Sequence, residues 1–443
     1  MKRIEYIILF IILLGGFFVR LYKINNPIAD WHSWRQADTA SVTREYIKNG
    51  LNLLVPKYHD LSSAQTGVTN LEGYRMVEFP LFNFFHYLLA TNFPLSLEVS
   101  GRYISIVASL VSTMFIYLLG KKYLGDWGGV WAAFFFAFLP YNVYYSRTIL
   151  PDPLAITFAL AAIWFFPKSW LFSSVLFAVS LLVKPFVIFY LPVFWLLAKN
   201  KKRFIFFLAL SMAPVAAWRF WISQFPSGIA HIKWMFNSDR ILGKPSFWRW
   251  IFGERIGHLI LGSWGLIPLA LGVTSVNKKK LFPLAFFVGS LAFVFVFATA
   301  NVRHDYYQLF LVPSICLLLA QGVLRLPKYL GVFAVVMMFV TSGFQIREYY
   351  KINNPVIVEA GKAVDELVPH DALVVVPYNK DTAFLYQTAR RGWPFVDGTI
   401  ENLIALGADY YVSVNLTDPM TQQIGQKYKA LQKTDSYVII KLR

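Results

Sequence analysis

The chain has 443 residues, of which 57% are hydrophobic and 18% aromatic, whereas only 15% are charged. With a mean hydropathy of +0.50, this composition excludes an ordinary soluble domain and is typical of a protein that crosses a membrane many times. The net charge of +18 does not indicate nucleic-acid binding, because the lysines and arginines lie in short segments between apolar runs, as membrane topology requires.

Apolar runs that could each span a bilayer fill the first 345 residues. They lie at 4–21, 103–120, 126–142, 153–167, 169–183, 185–198, 204–221, 259–276, 281–299, 308–325 and 329–345. Several are near the lower limit of about 17 residues for a crossing helix. The first lacks a small-x-small cleavage site and is interpreted as a retained span. The pattern predicts an all-α polytopic membrane domain of about 11 transmembrane helices.

The basic residues orient this domain. They cluster at Lys2-Arg3, Lys121-Lys122, Lys199 to Arg203, Lys278-Lys279-Lys280, and Arg325 with Lys328. With eleven spans, all these clusters fall on one side, which the positive-inside rule makes cytoplasmic, so the N-terminus is predicted to be cytoplasmic. If the apolar segment 79–93 were counted as a further span, basic clusters such as Lys121-Lys122 would fall on the opposite side of the membrane. The segment is therefore predicted to be an interfacial or re-entrant helix of an external loop at 22–102.

The composition changes near Tyr350, after which helical and strand patterns alternate. Helices are expected at 355–367, after a cap at Asp381, after Thr399 and near 419–428, and strands at 372–377, 410–414 and 437–442. We predict a membrane domain at 1–345 and a small extracytoplasmic α/β domain at 346–443. A structural cap is the favoured interpretation of the latter; a lid or an acceptor-binding domain is the alternative. The single cysteine, Cys316, lies in an apolar run and excludes an intrachain disulfide.

The most polar stretch follows the first span and begins at Asp30. As a helix it places one set of polar side chains on a common face: His32, Arg35, Gln36, Thr39 and Thr43. Asp38 would lie about 60° from Arg35 around the helix, and Asp30 or Ser33 would serve as the N-cap. Such a face suits a site at a membrane surface. The alternative is a solvated amphipathic helix lying on the lipid headgroups.

Other external segments carry polar groups on the same predicted side of the membrane. They are Glu78-Phe79-Pro80, Arg147 with Asp152, Lys184-Pro185 and the run from Asn301 to Gln308, which contains Arg303, His304, Asp305, Tyr306 and Tyr307. Ionisable groups at the entrance of a span indicate a functional site by default. For Asp152 the alternative is a helix cap, and for Lys184 it is snorkelling to the headgroups. The loop 222–258 combines cations with tryptophans, which suits an anionic lipid headgroup with an apolar tail.

These residues, in this order, resemble membrane glycosyltransferases with the GT-C fold, above all the protein O-mannosyltransferase and aminoarabinose transferase superfamily and its family 39-like bacterial members. The resemblance covers roughly 1–345 and rests on Trp34 to Ala40, Glu78-Phe79-Pro80, the Arg147 and Asp152 pair, and His304 to Tyr307. It implies an enzyme that moves a sugar from a polyprenyl-phosphate carrier to a hydroxyl acceptor (lipid A, a glycan, another lipid or a protein). It also implies a bacterial inner membrane and an active site on its periplasmic side.

The resemblance also implies roles, with two departures. Arg35 stands where the relatives have their catalytic aspartate, so Asp30, Asp38 or His32 is the expected base. Glu78 stands where the aminoarabinose enzymes have a lysine near the phosphate. Asp152 would then position the acceptor, and the carrier phosphate and the donor sugar would be bound by Arg35, Arg147, Lys184, Arg303, His304 and Tyr306. Gln36, Glu78, Asp305 and Tyr307 are further candidates; Glu78 and Asp152 could instead hold a divalent metal ion, the one cofactor considered.

Two other functions fit parts of the sequence. A transporter or flippase of lipid-linked sugars would also need basic grooves, but such proteins tend to have internal repeats and polar groups at the bilayer midplane. Here no repeat is visible and the polar groups gather at one face. A surface-glycan ligase or polymerase would differ in using a pyrophosphate-linked donor.

Overall fold

The computed structural model describes residues 2–274 and 281–443. The predicted cytoplasmic cluster Lys278-Lys279-Lys280 lies outside the described residues. By its contacts the chain divides into two compact units. The first comprises Met1–Ile24, Arg102–Phe220 and Ile232–Tyr349, and the second comprises Asn25–Gly101, Trp221–His231 and Tyr350–Arg443. The domain boundaries expected from the sequence stay a prediction.

The first unit is helical. Its helices, with those that continue into it, are α1 (Lys2–Arg20), α4 (Leu97–Leu124), α5 (Asp126–Phe138), α6 (Pro140–Tyr145), α7 (Asp152–Phe165), α8 (Trp170–Val183), α9 (Leu191–Leu197), α10 (Lys201–Ile222), α11 (Pro245–Trp248), α12 (Leu266–Thr274), α13 (Leu281–Val296), α14 (Ala298–Arg303), α15 (Val312–Val323) and α16 (Lys328–Ile346). Short 3₁₀ segments lie at Pro185–Tyr190 and Asp305–Leu311, and a π-helix at Arg249–Ile260.

Four helical segments in the described part are long and apolar enough to cross a membrane: Leu97–Leu124, Lys201–Ile222, Asp305–Val323 and Lys328–Tyr350. Four other apolar helical segments have 10–17 residues: Asp152–Phe165, Trp170–Val183, Pro185–Leu197 and Leu281–Val296. Prolines divide some of the predicted spans, as Pro140 does between α5 and α6. The protein is therefore a mostly helical membrane protein. The predicted number of about eleven spans stays a prediction.

Small residues let the helices of this unit approach closely. A Cβ added to Gly129 on α5 would lie 2.7 Å from the Tyr117 carbonyl oxygen on α4, and one added to Gly322 on α15 would lie 1.7 Å from the Pro268 carbonyl oxygen on α12. Only glycine fits where helix backbones meet in this way. As a result α15 is buried on all sides and forms the centre of the unit.

The second unit contains α2 (Ser33–Asn49), α3 (Leu81–Asn92) and the C-terminal helices α17 (Val356–Leu367), α18 (Ala383–Gln387), α19 (Ile400–Ala405) and α20 (Pro419–Lys427). Its sheet is formed by β1 (Leu373–Val375), β2 (Arg391–Trp393), β3 (Ala408–Ser413), β4 (Ala430–Lys433) and β5 (Val438–Lys441), in the order β2-β1-β3-β5-β4. β1 is parallel to β2 and β3, and β5 is antiparallel to β3 and β4.

The three predicted strands are confirmed as β1, β3 and β5, and the predicted helices as α17 to α20. The cap expected at Asp381 is wrong by one residue: the N-cap position of α18 is Thr382, although the Asp381 side chain accepts a hydrogen bond from the Ala383 N–H. The cap expected at Thr399 is confirmed, because its side chain accepts a hydrogen bond from the Asn402 backbone N–H. The edge strands β2 and β4 were not predicted. They are three and four residues long. In their sequences, Arg-Gly-Trp and Ala-Leu-Gln-Lys, apolar and polar residues do not alternate in the pattern that indicates a strand.

The external segment after α1 contributes to this sheet. The backbone N–H of Gly392 on β2 donates to the His59 carbonyl, and the Leu61 N–H donates to the Gly392 carbonyl. Leu61 joins Val375 and Trp393 in the core on one side of the sheet. The loop around His59 and the C-terminal sheet therefore fold as one body, whose helix α2 carries most of the predicted polar site.

Candidate active site

Helix α2 is buried on nearly every side, since Ser33, Arg35 to Thr43, Glu45 and Tyr46 are all buried. An amphipathic helix lying on headgroups would expose its polar face, so that alternative is wrong for α2. Because buried polar groups require partners, the polar residues of α2 are expected to organise the segments packed around them.

The predicted N-cap of this helix is wrong. The capping position is His32, whose φ of 53° is left-handed, and its side chain makes no capping hydrogen bond. Asp30 instead accepts a hydrogen bond from Gln36 Nε2 at 2.8 Å. The Asp30 carboxylate is thus used to fix a side chain one turn along α2. A left-handed histidine is uncommon and marks a constrained turn.

Arg35 forms an ion pair with Glu78 from the segment that precedes α3. The Arg35 Nη2 and Glu78 Oε1 atoms are 2.5 Å apart, and the two side chains are 6% and 13% exposed. Both residues were site candidates, and the structure places them in direct contact. The pair links the Glu78-Phe79-Pro80 element to α2.

Asp38 is the centre of a network within the same unit. Its carboxylate accepts hydrogen bonds from Thr382 Oγ1 at 2.7 Å and from Gln65 Nε2 at 2.7 Å. Arg75 Nη2 lies 3.2 Å away, and Arg75 also donates to Gln65 Oε1. The Asp38 carboxylate therefore joins α2 to two loops and to the start of α18.

Two further carboxylates near Asp38 titrate unusually high. Burial, reinforced by the charge of Asp38, raises the pKa of Asp60 to about 6. Burial likewise raises the pKa of Asp381 to about 6; the Ala383 N–H and His32 oppose this rise, and Asp38 adds to it. Carboxyl groups in this range exchange protons near neutral pH. The sequence singled out neither residue as a site candidate.

The remaining polar face of α2 contacts α3. Thr43 Oγ1 lies 2.9 Å from His86 Nδ1, and Asn83 Nδ2 donates to Thr43 Oγ1 at 3.0 Å and to the Thr39 carbonyl at 2.7 Å. Thr39 and Thr43, predicted on the polar face, thereby hold α3 in place. With only 12 residues, α3 is too short to cross a bilayer alone.

In the first unit, Asp152 and Lys184 are brought together. Lys184 Nζ lies 3.9 Å from Asp152 Oδ2, and the two side chains are 6% and 0% exposed. Lys184 therefore does not snorkel to a headgroup. Asp152 is in the first turn of α7, whose N-cap is Pro151 without a side-chain hydrogen bond, so the capping interpretation does not account for Asp152.

An aromatic row connects Lys184 to the run from Asn301 to Gln308. The Lys184 ammonium lies 5.4 Å from the centre of the Phe186 ring, which packs at 5.5 Å against Tyr307. The row continues through neighbouring rings and ends at a cation: Tyr307, Tyr306, His304, Trp234 and Arg303. Five predicted site residues therefore lie along one row of contacts, together with Phe186 and Trp234.

Asp305 points to a different set of partners. Its carboxylate accepts hydrogen bonds from the hydroxyls of Tyr145 and Tyr349 and from Arg255 Nη1, the last at 3.0 Å. The Asp305 carbonyl accepts a further bond from the Tyr141 hydroxyl at 2.6 Å. This Asp305 cluster (Asp305, Tyr141, Tyr145, Tyr349 and Arg255) anchors the segment that carries His304 and Tyr306.

Three arginines of the first unit are fully buried. Arg147 donates to the Lys23 carbonyl at 3.3 Å and lies over the Tyr144 ring. Arg102 donates to the Ile24 carbonyl, and Arg20 donates to Ser146 Oγ at 2.8 Å. Arg20 and Arg102 escaped the sequence analysis, because an arginine at the end of an apolar run is usually a topology signal.

The candidate metal ligands do not fit a divalent ion. Glu78 lies against Arg35, and Asp152 lies beside Lys184, so each carboxylate already faces a cation. Among residues 2–274 and 281–443, no group of three or more histidine, cysteine, aspartate or glutamate side chains is arranged to hold a metal ion.

Comparisons with known proteins agree with this architecture. Residues 80–221 match the family described as dolichyl-phosphate-mannose-protein mannosyltransferase. ArnT from Cupriavidus metallidurans in the apo state matches with a TM-score of 0.69 at 11% identity, over 100% of this chain and 98% of that chain. The chain has the GT-C fold. The predicted resemblance to GT-C glycosyltransferases is thus confirmed.

Two other solved structures share the GT-C fold. ArnT from Cupriavidus metallidurans bound to undecaprenyl phosphate has a TM-score of 0.69 at 11% identity, covering 98% of this chain and 97% of that chain. The oligosaccharyltransferase AglB from Archaeoglobus fulgidus, in complex with an inhibitory peptide and a dolichol-phosphate, has a TM-score of 0.55 at 10% identity, covering 91% and 69%. A search of curated sequences finds no match.

Sequence analysis thus found most polar residues of the site but not their partners. Arg75, Gln65 and Thr382 around Asp38, and Arg255 with Tyr349 around Asp305, come from distant parts of the chain. One signal was available in advance: Asn379 to Thr382 are four consecutive polar residues between two apolar segments of the C-terminal part.

Proposed function

We propose that the protein is an integral-membrane glycosyltransferase that moves a sugar from a polyprenyl-phosphate carrier to a hydroxyl acceptor on the extracytoplasmic face. The observation that carries this proposal is the GT-C fold over the whole chain. The solved relatives add chemical support, since one is bound to undecaprenyl phosphate and another to dolichol-phosphate.

The cations of the first unit suit the carrier phosphate. Lys184 is a buried ammonium held near Asp152, and Arg147 is a buried guanidinium. Positive groups fixed in a site of low polarity stabilise the charge that builds on a departing phosphate. Arg303, at the end of the aromatic row, adds an exposed cation, and the partly exposed His304 offers a ring against which a donor sugar could pack. Tyr306 is buried and supports the His304 ring from behind.

The polar residues of the second unit suit acceptor binding and proton transfer. Arg35 is paired with Glu78, and Gln36 with Asp30, which argues that these groups fix geometry. Asp38 is surrounded by three partners, which favours a positioning role over that of a base. Of the three predicted bases, His32 is the one whose side chain is partly exposed.

The acceptor remains a choice among lipid A, a glycan, another lipid and a protein. A bacterial inner membrane, a cytoplasmic N-terminus and an extracytoplasmic C-terminal segment complete the proposal. Reporter fusions after Lys199 and after Arg443 test the topology: we expect a cytoplasmic signal from the first and a periplasmic signal from the second. Opposite signals would contradict the orientation.

The transporter alternative is tested with the same preparation. Vesicles containing the purified protein and a radiolabelled undecaprenyl-phosphate hexose would be supplied with an envelope lipid extract. A new glycosidic product supports the transferase, whereas movement of the labelled lipid across the vesicle without product supports the flippase. A product from pyrophosphate-linked donors alone would support the ligase or polymerase.

Site assignments are tested in the same assay with Asp152→Asn and Arg147→Ala. Arg147→Ala removes a charge contact with the leaving phosphate and should lower the rate on the order of 10²-fold, as loss of an oxyanion-hole donor does. Asp152→Asn removes the carboxylate beside Lys184 and should also lower the rate. Lys328→Ala, at the start of α16, is the control for loss of a positive charge and should leave the rate unchanged. Wild-type activity in both site variants would remove Asp152 and Arg147 from the mechanism.

A further inference from the structure

A polar cavity lies at the C-terminal end of α2, wholly within the second unit. Its volume is about 340 Å³, near the lower end of the range of about 300–1,000 Å³ that ligand pockets occupy. It therefore suits one small group. The side chains that characterise its lining are Glu45, Asn49, Asn52, Val55, Lys57 and Arg391.

Gly50 ends α2 and leaves this space open. Its φ is 89°, and its N–H donates to the Tyr46 carbonyl at 3.0 Å. Glycine is favoured at such a position, and a Cβ added there would meet nothing within 4 Å. Carbonyl groups in the last turn of a helix lack intrahelical partners. The end of α2 therefore offers hydrogen-bond acceptors to a ligand in the cavity.

Glu45 adds an acceptor that is held in place. Its side chain is 5% exposed, its Oε2 accepts a hydrogen bond from Asn49 Nδ2 at 2.9 Å, and its Oε1 lies 3.7 Å from His59 Nε2. Burial raises the pKa of Glu45, and the positive charge of Arg391 opposes this rise. The carboxyl group and the guanidinium thus act on each other across the same cavity.

The two cations of the lining already have partners. Lys57 Nζ donates to Glu72 Oε2 at 2.7 Å, and Arg391 Nη2 donates to the Leu71 carbonyl at 3.1 Å. With Glu45 in the same lining, the positive charge is largely compensated, whereas a phosphate site needs cations that can pair with the phosphate. A hydroxyl both donates and accepts. The mixture of carboxyl, amide and cationic groups therefore suits a sugar ring.

The loop beside the cavity carries exposed leucines. Asn52 Oδ1 accepts hydrogen bonds from the Leu54 and Val55 N–H groups, both at 3.1 Å, and Leu51 and Leu54 are 38% and 51% exposed. Trp221 Nε1 donates to the Leu54 carbonyl at 2.8 Å. Trp221 is the last residue but one of α10, which is long and apolar enough to cross a membrane. Because tryptophans concentrate at membrane interfaces, the two leucines suit insertion among lipid headgroups.

We propose that this cavity binds the sugar headgroup of a membrane glycolipid, whose acyl chains remain in the bilayer beside Leu51 and Leu54. Sugar hydroxyls donate to Glu45 and to the carbonyls at the end of α2, and they accept hydrogen bonds from the amide and cationic groups of the lining. The cavity shares no residue with the groups proposed for catalysis. Binding requires no transfer, so the inference goes beyond the proposed function.

The test uses the full-length protein in phosphatidylcholine nanodiscs, with a glucosyl-diacylglycerol that carries a photoreactive diazirine on its sugar. We expect saturable crosslinking that peptide mapping places within residues 45–57. Unlabelled glucosyl-diacylglycerol should compete, and phosphatidylglycerol should not. Crosslinking confined to other segments would overturn the site, and equal competition by phosphatidylglycerol would overturn the choice of a sugar over an anionic headgroup.

Two variants alter the cavity in independent ways. Val55→Trp fills it, and Glu45→Ala removes an acceptor; each should weaken binding of the probe by on the order of 10-fold. Gln422→Ala, in another cavity of the same unit, is the control and should bind as wild type does. Thermal unfolding shows which variants keep the fold, and wild-type binding by either cavity variant in folded form would overturn the inference.

A double variant tests the lipid part of the proposal. Leu51→Ser with Leu54→Ser should weaken binding of the glycolipid probe but not of a soluble methyl glucoside with the same diazirine. Leu431→Ser, at a leucine that is 46% exposed on β4, is the matched control. An equal effect on both probes, or on neither, would overturn the assignment to a lipid-anchored sugar. Since none of these measurements needs turnover, failure of this inference is distinguishable from failure of the proposed function.

Discussion

Arg35 and Glu78 form a buried ion pair: their Nη2 and Oε1 atoms are 2.5 Å apart, and neither side chain is more than 13% exposed. The pair joins the helix after the first span to the segment that enters α3. Charges removed from water are tolerated only when they are paired. Removing either residue would therefore leave the other as an unpaired buried charge. This relationship leads to the first prediction.

Glu78→Ala should lower the free energy of unfolding by about 3–5 kcal/mol, because it leaves the Arg35 guanidinium buried without its carboxylate. The measurement is thermal or denaturant unfolding of the purified protein in detergent. The double variant Arg35→Met with Glu78→Met removes both charges and should recover most of the loss. Glu72→Ala, which breaks the exposed pair of Lys57 and Glu72, should cost less than about 1 kcal/mol. If Glu78→Ala and Glu72→Ala lowered the free energy of unfolding equally, burial of the ion pair would not be what makes it important.

The Asp305 cluster supports the segment that carries His304 and Tyr306. Asp305→Ala removes the acceptor of two tyrosine hydroxyls and of Arg255, so we expect destabilisation by about 3 kcal/mol or more. Tyr349→Phe removes the hydroxyl that donates to Asp305 but leaves the carboxylate in place, so it should cost less, about 1–2 kcal/mol. Tyr329→Phe, at a side chain that is 87% exposed, serves as the control and should leave the melting temperature unchanged.

Asp60 should make stability depend on pH. Its pKa is raised from 3.8 to about 6, so the folded protein binds a proton more readily than the unfolded chain, and stability falls as pH rises from about 4 to 6. Asp60→Asn should therefore raise the free energy of unfolding at pH 7 by on the order of 1–3 kcal/mol and have little effect at pH 4. Unfolding curves at both pH values check this; an equal gain at pH 4 would point to a cause other than ionisation.

Trp234 is the last ring of the aromatic row and lies between His304 and Arg303. Trp234→Ala should raise the KM for the polyprenyl-phosphate donor, because Arg303 and His304 both pack against the Trp234 ring and would lose that contact. The effect on kcat should be smaller. Steady-state kinetics at varied donor concentration would measure the split. Trp127→Ala, at an exposed tryptophan elsewhere in the first unit, is the matched control. A fall in kcat alone would contradict a role in donor binding.

The sequence by itself determined the class of protein and the approximate position of its elements. The apolar runs, the strands β1, β3 and β5 and the polar stretch after the first span all follow from local composition, because hydrophobic periodicity and length are properties of short segments. The polar stretch was identified as a site candidate for the same reason: ionisable groups are costly near a membrane and are rarely present without a role.

Only the tertiary structure decided what each polar residue contacts. Asp38 meets Thr382 across more than three hundred residues of sequence, and Asp305 collects its partners from Tyr145, Arg255 and Tyr349. Burial of α2 on nearly all sides, the left-handed cap at His32 and the raised pKa of Asp381 also depend on these long-range contacts. The physical reason is that hydrogen bonding, desolvation and electrostatic interaction are set by distances in space, which a local pattern of residues does not specify.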